Sequence, residues 1–269
     1  MYQRGTAPSR PPGARLLAAV ILMLSFTVMV GQESATAEQL GAGTLSSYSR
    51  LAVTGLGDSV PSGGACNCTS YVTLFGTSAA ASHKIPADVT NAAYGGLTSA
   101  GLLRQLTSPH LRTIIAASDV VIVTIGANDF NESSVTNPSC TADERLACFR
   151  APLAQLATNL SSALSTIRAL TVGRQAAILV TGYWNVFKDG EVARSRGSAY
   201  VAGSYALTRA VNALVQAAAE RNDATYVDIY TPFNANGTRD DTALLATDGD
   251  HPNARGHALI ARLLLAAWT

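Results

Sequence analysis

Residues 50–64 read RLAVTGLGDSVPSGG, and the fold turns on how this stretch is interpreted. Arg50 to Leu56 is short, apolar and lacks an in/out alternation, the pattern of a strand covered on both faces of a parallel sheet. It runs into Gly57-Asp58-Ser59, with Gly63 and Gly64 just beyond, so glycines that permit a tight turn flank a serine at a strand end. A serine held there exposes its hydroxyl to a ligand, and as a nucleophile it needs a base. The Gly-x-Gly is a poor dinucleotide loop, because the third glycine is missing where it is required.

Similar runs recur along the chain: Asp119 to Ile125 (DVVIVTI), Ala176 to Thr181 (AAILVT) and Thr225 to Ile229 (TYVDI), with a weaker one at Ala87 to Ala92. Between them the period turns helical. Leu153, Leu156, Leu160, Leu164 and Ile167 form one stripe, and Leu207, Val211, Leu214, Val215 and Ala218 a second. Leu259, Ile260, Leu263, Leu264 and Ala267 form a third, with Pro252 in its first turn. Alternating strand and helix predicts an α/β fold over 50–269, with about five parallel strands and helices on both faces. Ligands of such sheets gather at the carboxyl ends of strands, where the long connections Phe130 to Cys148 and Tyr183 to Gly197 lie.

The chain has 269 residues, 48% hydrophobic and 14% charged, against about 25% charged in an average soluble protein. It can bury a large core. Nineteen basic against eighteen acidic residues supply no electrostatic footprint for nucleic acid or an anionic membrane. Arg4, Arg10 and Arg15 precede the uncharged Leu16–Val30, too short to span a bilayer, and Ala35-Thr36-Ala37 offers small residues to a signal peptidase. Residues 1–37 therefore read as a secretory signal cleaved after Ala37, with an uncleaved signal anchor as the alternative, and 38–49 as a short leader. Cleavage removes those three arginines and Glu33 and leaves a secreted chain of 232 residues with net charge about −1. No stable membrane insertion is expected of it, and it is read as a monomer. Outside the cytosol, Cys66, Cys68, Cys140 and Cys148 are expected to form disulfides. Cys140 with Cys148 would close a short loop and leave Cys66 with Cys68 in a small ring; crossed pairing is the other option. Zinc is disfavoured, because the spacing lacks a C-x2-4-C knuckle.

Further chemistry-bearing residues sit after strands. Gly126-Ala127-Asn128-Asp129 follows the Asp119–Ile125 run, and Asp248-Gly249-Asp250-His251-Pro252 precedes the last helix. Asp248 and His251 are close enough for the carboxylate to accept from one ring nitrogen while the other faces Ser59, which fixes the tautomer. Pro252 keeps His251 extended, so its ring should project from the loop. Asp250 reads as a loop or cap residue, Asp58 and Asp129 as loop-holding hydrogen-bond acceptors. His83, His110 and His257 read as surface or structural, and Tyr183 and Trp184 are candidates to line an acyl or alcohol pocket.

Gly57-Asp58-Ser59, Asn91-Ala92-Ala93-Tyr94-Gly95-Gly96-Leu97-Thr98, Gly126-x-Asn128-Asp129 and Asp248-x-x-His251-Pro252 together resemble the four ordered blocks of the SGNH hydrolases, the GDSL-type esterases and lipases. The resemblance runs from about Leu51 to the C-terminus; the family's GDSL tetrad reads GDSV here. It implies a flavodoxin-like three-layer α/β/α sandwich and ester hydrolysis without a cofactor. By position, Ser59 would be the nucleophile, His251 the base and Asp248 its partner. The oxyanion donors would be the Ser59 and Gly96 backbone N–H groups and the Asn128 amide. The substrate would be a small-molecule or lipid ester, or in an alternative reading an acetylated polysaccharide whose acetyl group the same site removes or transfers. Metal-dependent phosphoester hydrolysis by Asp58, Asp129, Asp248, Asp250 and His251, and a non-catalytic binding module, are the readings from other classes.

Overall fold

The computed structural model describes residues 50–141 and 146–268, so the segments read as signal and leader lie outside the described residues. The most apolar run, Val120–Thr124, is buried along its whole length and forms the middle strand of five. In chain order the strands are β1 (Leu51–Gly57), β2 (Ala87–Asn91), β3 (Val120–Thr124), β4 (Ala177–Thr181) and β5 (Thr225–Val227). Every neighbouring pair is parallel, and the order across the sheet is β2-β1-β3-β4-β5. That is the flavodoxin-like order, whose direction of winding reverses between β1 and β3. Edge strand β2 is largely exposed or half-buried, which explains why its apolar signal was weak.

The helices are α1 (Ser59–Ser62), α2 (Tyr71–Ser82), α3 (Ser99–Gln105), α4 (Pro109–Ala116), α5 (Pro138–Thr141), α6 (Arg150–Thr171), α7 (Gly190–Ser195), α8 (Ser198–Arg221), α9 (Tyr230–Asn234) and α10 (Ala254–Trp268). Helix α2 packs on β1 and β2 and against α10, while α3, α4 and α8 pack around α6. These two groups are the outer layers of the α/β/α sandwich. The helical stripes face inward as their spacing predicts: Leu156, Leu160, Leu164 and Ile167 of α6 are buried, as are Leu207, Val211, Val215 and Ala218 of α8. Each of these leucines, isoleucines and valines contributes about 1.5–3 kcal/mol of burial free energy. Among the described residues no helix is long and apolar enough to cross a membrane.

Three details depart from the sequence reading. Strand β1 runs on through Gly57, whose φ of 133° places it where an added Cβ would collide with the Thr124 carbonyl; only glycine lets β1 and β3 end so close together. Strand β5 stops at Val227, two residues early. Pro252 does not enter α10 but bridges to Leu245, and Asn253 caps the helix by accepting from the N–H groups of Arg255 (2.9 Å) and Gly256 (3.2 Å). Cys66 pairs with Cys68 and Cys140 with Cys148, the uncrossed option.

Candidate active site

Each candidate residue leaves the carboxyl end of a strand or the loop that faces it. Ser59 follows β1 directly and opens α1, which Asp58 caps by accepting from Val60 N–H (3.0 Å). Gly96 lies between β2 and α3 with φ of 77°, and a Cβ there would meet nothing within 4 Å, so its glycine answers a backbone requirement. Asn128 sits in the single turn Ala127–Asp129 after β3 and donates its side-chain amide to Leu97 O at 3.1 Å, which aims it across the Gly96 loop. The Ser59 and Gly96 backbone N–H groups donate to no acceptor among the described residues. Ser59 and Asn128 thus leave the adjacent ends of β1 and β3, where the winding of the sheet reverses, and the Gly96 loop meets both: a Cβ on Gly95 would sit 3.8 Å from Ser59 Cβ, and Leu97 O accepts the Asn128 amide.

The imidazole comes from the other side. His251 Nδ1 lies 2.8 Å from Asp248 Oδ2, while Asp248 Oδ1 accepts the backbone N–H groups of Asp250 (2.9 Å) and His251 (3.1 Å). Partial burial works against the Asp248 anion, but these N–H donors and the His251 ring outweigh it and hold the carboxyl below its ordinary range. A Cβ placed on Gly64 would sit 3.0 Å from Ser59 Cβ and 3.5 Å from His251 Cδ2. The ring edge bearing Nε2 and the serine therefore face the same gap. The Ser59 hydroxyl makes no hydrogen bond to the ring here; such contacts often tighten only when substrate binds.

Asp58 and Asp129 hold loops, as expected. Asp129 accepts from Ser99 N–H (2.8 Å) and the Ser99 hydroxyl (2.5 Å), tying the Asn128 turn to α3. Asp58 is fully buried beneath Ser59, and burial pushes its carboxyl up to about 7 even though the Tyr183 hydroxyl and Val60 N–H donate to it. Tyr183 and Trp184 do not line a pocket, contrary to the sequence reading. Tyr183 is 1% exposed; its hydroxyl donates to Asp58 and accepts Ala127 N–H (3.3 Å), so the ring is a strut between the Ser59 and Asn128 loops. Trp184 is fully buried and stacks on Phe233 at 4.9 Å. Nothing in the sequence distinguishes an aromatic ring that faces a cavity from one that fills a core.

His257 is structural. Its Nδ1 accepts Tyr71 N–H (3.2 Å), and burial lowers its pKa to about 4, so the ring is neutral. One of its nitrogens comes within 4.8 Å of the Cys66 and Cys68 sulfurs. Those sulfurs are bonded to each other and the Nδ1 lone pair is engaged, so these groups do not suit zinc as they stand. His83 and His110 are exposed.

The loop of Asp248 and His251 rests on a buried carboxyl pair that sequence reasoning missed. Asp189 donates its backbone N–H to Gly249 O (2.8 Å), and its side chain accepts from Tyr205 OH (2.8 Å) and Gly190 N–H (2.9 Å). Asp241, 1% exposed, packs against it, and burial together with the Asp189 charge raises the Asp241 pKa and favours its protonated form. The folded chain keeps this proton while the unfolded chain releases it above about pH 4. Its contribution to stability is full below that pH and is lost as pH rises toward the raised folded value. Asp241→Asn, which can donate to Asp189 without a titrating proton, is expected to raise Tm more at pH 9 than at pH 5. Equal shifts at both pH values in thermal melts would refute this.

Residues 56–259 match the GDSL-like lipase/acylhydrolase family. The chain belongs to that family. It is a carboxylic ester hydrolase on a three-layer α/β/α fold. No curated protein matches its sequence significantly. Among solved structures, the GDSL-like chain is similar to the lipase Lip_vut3 from a goat rumen metagenome, with TM-score 0.62, 20% identity, and coverage of 81% of this chain and 97% of that one. It is similar also to a catalytic mutant of Axe2, an acetylxylan esterase from Geobacillus stearothermophilus, with TM-score 0.58, 18% identity and coverage of 82% and 94%. A third is the esterase EstA from Pseudoalteromonas sp., inhibited by monoethylphosphonate, with TM-score 0.51, 16% identity and coverage of 82% and 96%.

Proposed function

We propose that this GDSL-like hydrolase is a secreted serine esterase that works through an acyl-enzyme, with Ser59, His251 and Asp248 as its triad. The observation that carries the reading is the His251–Asp248 pair at 2.8 Å facing Ser59 across Gly64. His251 Nε2 takes the Ser59 Oγ proton as Oγ bonds to the ester carbonyl carbon. The carbonyl oxygen becomes an oxyanion held by the Ser59 and Gly96 N–H groups and the Asn128 amide. As the ester C–O bond breaks, His251 returns the proton to the departing alcohol. Water, deprotonated by His251, then attacks the acyl-enzyme carbonyl, and as the bond to Ser59 Oγ breaks His251 returns the proton to Oγ, which releases the acid and restores Ser59. Asp248 holds the proton on Nδ1 and stabilises the imidazolium.

Export by residues 1–37 belongs to the same proposal and is supported by the two cysteine pairs, which suit an oxidising compartment. N-terminal sequencing of the released protein tests it; a start at Glu38 is expected.

Mass spectrometry after treatment with an ethyl phosphonate tests the chemistry. One adduct on Ser59 with parallel loss of activity is expected, and activity unchanged by EDTA; no Ser59 adduct with loss in EDTA would favour metal-dependent hydrolysis instead. Asn128→Ala removes one oxyanion donor and is expected to lower kcat for p-nitrophenyl acetate by about 100- to 1000-fold with a smaller change in KM. A change confined to KM would assign Asn128 to ground-state binding instead.

A further inference from the structure

The Cys66–Cys68 disulfide takes no part in ester hydrolysis, yet it closes the segment that abuts the nucleophile. Gly64 fits into the gap that Ser59 and His251 share: its N–H donates to Ser59 O (2.8 Å), and a Cβ on it would sit 3.0 Å from Ser59 Cβ and 3.5 Å from His251 Cδ2. Beyond Gly64 the chain runs to Ser70, which caps α2 by accepting from Thr73 N–H (3.4 Å). Among the described residues, 65–69 make no backbone–backbone hydrogen bond, so the disulfide ring is the constraint that holds them. Ala65, between Gly64 and Cys66, sits at φ 54°, a left-handed conformation that alanine adopts only when its surroundings impose it.

The bridge does little for the fold as a whole. The entropy a disulfide removes from the unfolded chain grows with the loop it closes, and this one joins residues two apart, against eight for Cys140 and Cys148. It is also reachable from solvent: Cys66 and Cys68 are half-buried, and Ala65, Asn67 and Thr69 around them are exposed. Beside it is the buried His257, one of whose ring nitrogens comes within 4.8 Å of both sulfurs. Because Nδ1 accepts Tyr71 N–H, the neutral ring carries its proton on Nε2, and this buried donor has no acceptor among the described residues. A disulfide sulfur accepts hydrogen bonds poorly and a thiolate accepts them well. The reduced pair therefore gains a partner that the oxidised pair lacks, which favours reduction.

We propose that Cys66–Cys68 is a redox-active disulfide that a dithiol opens, and that opening it lowers esterase turnover by releasing Ala65 and Gly64 from their places beside Ser59. A thiolate of the dithiol attacks one sulfur, and the other leaves and takes up a proton. The second thiol of the dithiol then attacks the mixed disulfide and releases the remaining cysteine as a thiol. The dithiol is oxidised to its disulfide, and the protein gains two electrons and two protons. The effect on turnover rests on the esterase reading above; the exchange chemistry does not.

The test equilibrates the full chain with mixtures of reduced and oxidised dithiothreitol, assays p-nitrophenyl acetate, and traps thiols with iodoacetamide for mass spectrometry. Cys66 and Cys68 are expected to be alkylated at a lower proportion of reductant than Cys140 and Cys148. In step with their opening, kcat should fall by about tenfold or more with little change in Tm, and it should return on oxidation. A Cys66→Ser/Cys68→Ser protein should have the kcat of the reduced form and no response to reductant. A kcat that holds while Cys66 and Cys68 are fully reduced, or that falls only as Cys140 and Cys148 open, overturns the switch, as does wild-type kcat in the double variant. If the oxidised wild-type protein did not hydrolyse p-nitrophenyl acetate, the esterase reading would fall instead, and the trapping would still report which pair the dithiol opens.

Discussion

Ser59→Ala is expected to lower turnover of p-nitrophenyl acetate by on the order of 10⁴- to 10⁶-fold while the protein stays folded. The two halves of that expectation have separate origins. The Ser59 hydroxyl makes no hydrogen bond to the rest of the described chain, and α1 is capped by Asp58 rather than by Ser59, so its removal costs the fold little. Its chemical role has no substitute, since the other hydroxyl on this loop, Ser62, donates to Ser59 O (2.8 Å) and does not share the gap with His251. Steady-state kinetics beside a thermal melt check both halves. More than a tenth of wild-type turnover in a variant of unchanged Tm would eliminate Ser59 as the nucleophile. A wild-type protein that bound esters without turning them over would be the binding module.

His251→Ala should match that loss, because without the imidazole no group beside Ser59 can take its proton at neutral pH. Asp58 is adjacent in sequence, but its carboxyl is buried beneath the serine and occupied by Tyr183 and Val60. Asp248→Asn separates the two functions of the carboxylate. An asparagine oxygen can still accept the Asp250 and His251 N–H groups and hold the loop, whereas its amide would donate toward Nδ1 and push the imidazole proton onto the nitrogen facing Ser59. A loss on the order of 10³-fold, smaller than that of His251→Ala and without a fall in Tm, is the expected result. If Asp248→Asn were indistinguishable from wild type, a backbone group rather than Asp248 would be orienting the ring.

The parts of this molecule legible in sequence are those governed by short-range rules. Val120 to Val123 reads as a doubly covered strand because burial on both faces removes polar residues from the run. The α6 and α8 stripes read because one buried face repeats every 3.6 residues. Asp248 and His251 read as a pair because three residues of chain suffice to bring a carboxylate to an imidazole. Edge strand β2 was faint because half of it meets water.

What escaped depended on distant partners. Tyr183 follows a strand end just as a pocket residue would, but its partner Asp58 lies 125 positions away, and only the folded chain shows the ring bracing two loops. The Asp189–Asp241 pair under the histidine loop has no local pattern at all. Four cysteines allow three pairings, and the choice waited on which sulfurs the chain brings together. Pro252 could open a helix by its own preferences, and the bridge to Leu245 placed it outside.

By itself, then, the sequence determined the alternation of strand and helix and the family, and it singled out the groups proposed to react. Hydrophobic period and short motif spacing are local properties, and each element carries its own. Tertiary structure decided how those groups are held: the order β2-β1-β3-β4-β5 that brings Ser59 and Asn128 to neighbouring strand ends where the winding reverses, and the Tyr183 strut between their loops. These depend on which chain segments pack against one another. That is settled by the joint burial of the whole core, and no single stretch of sequence encodes it.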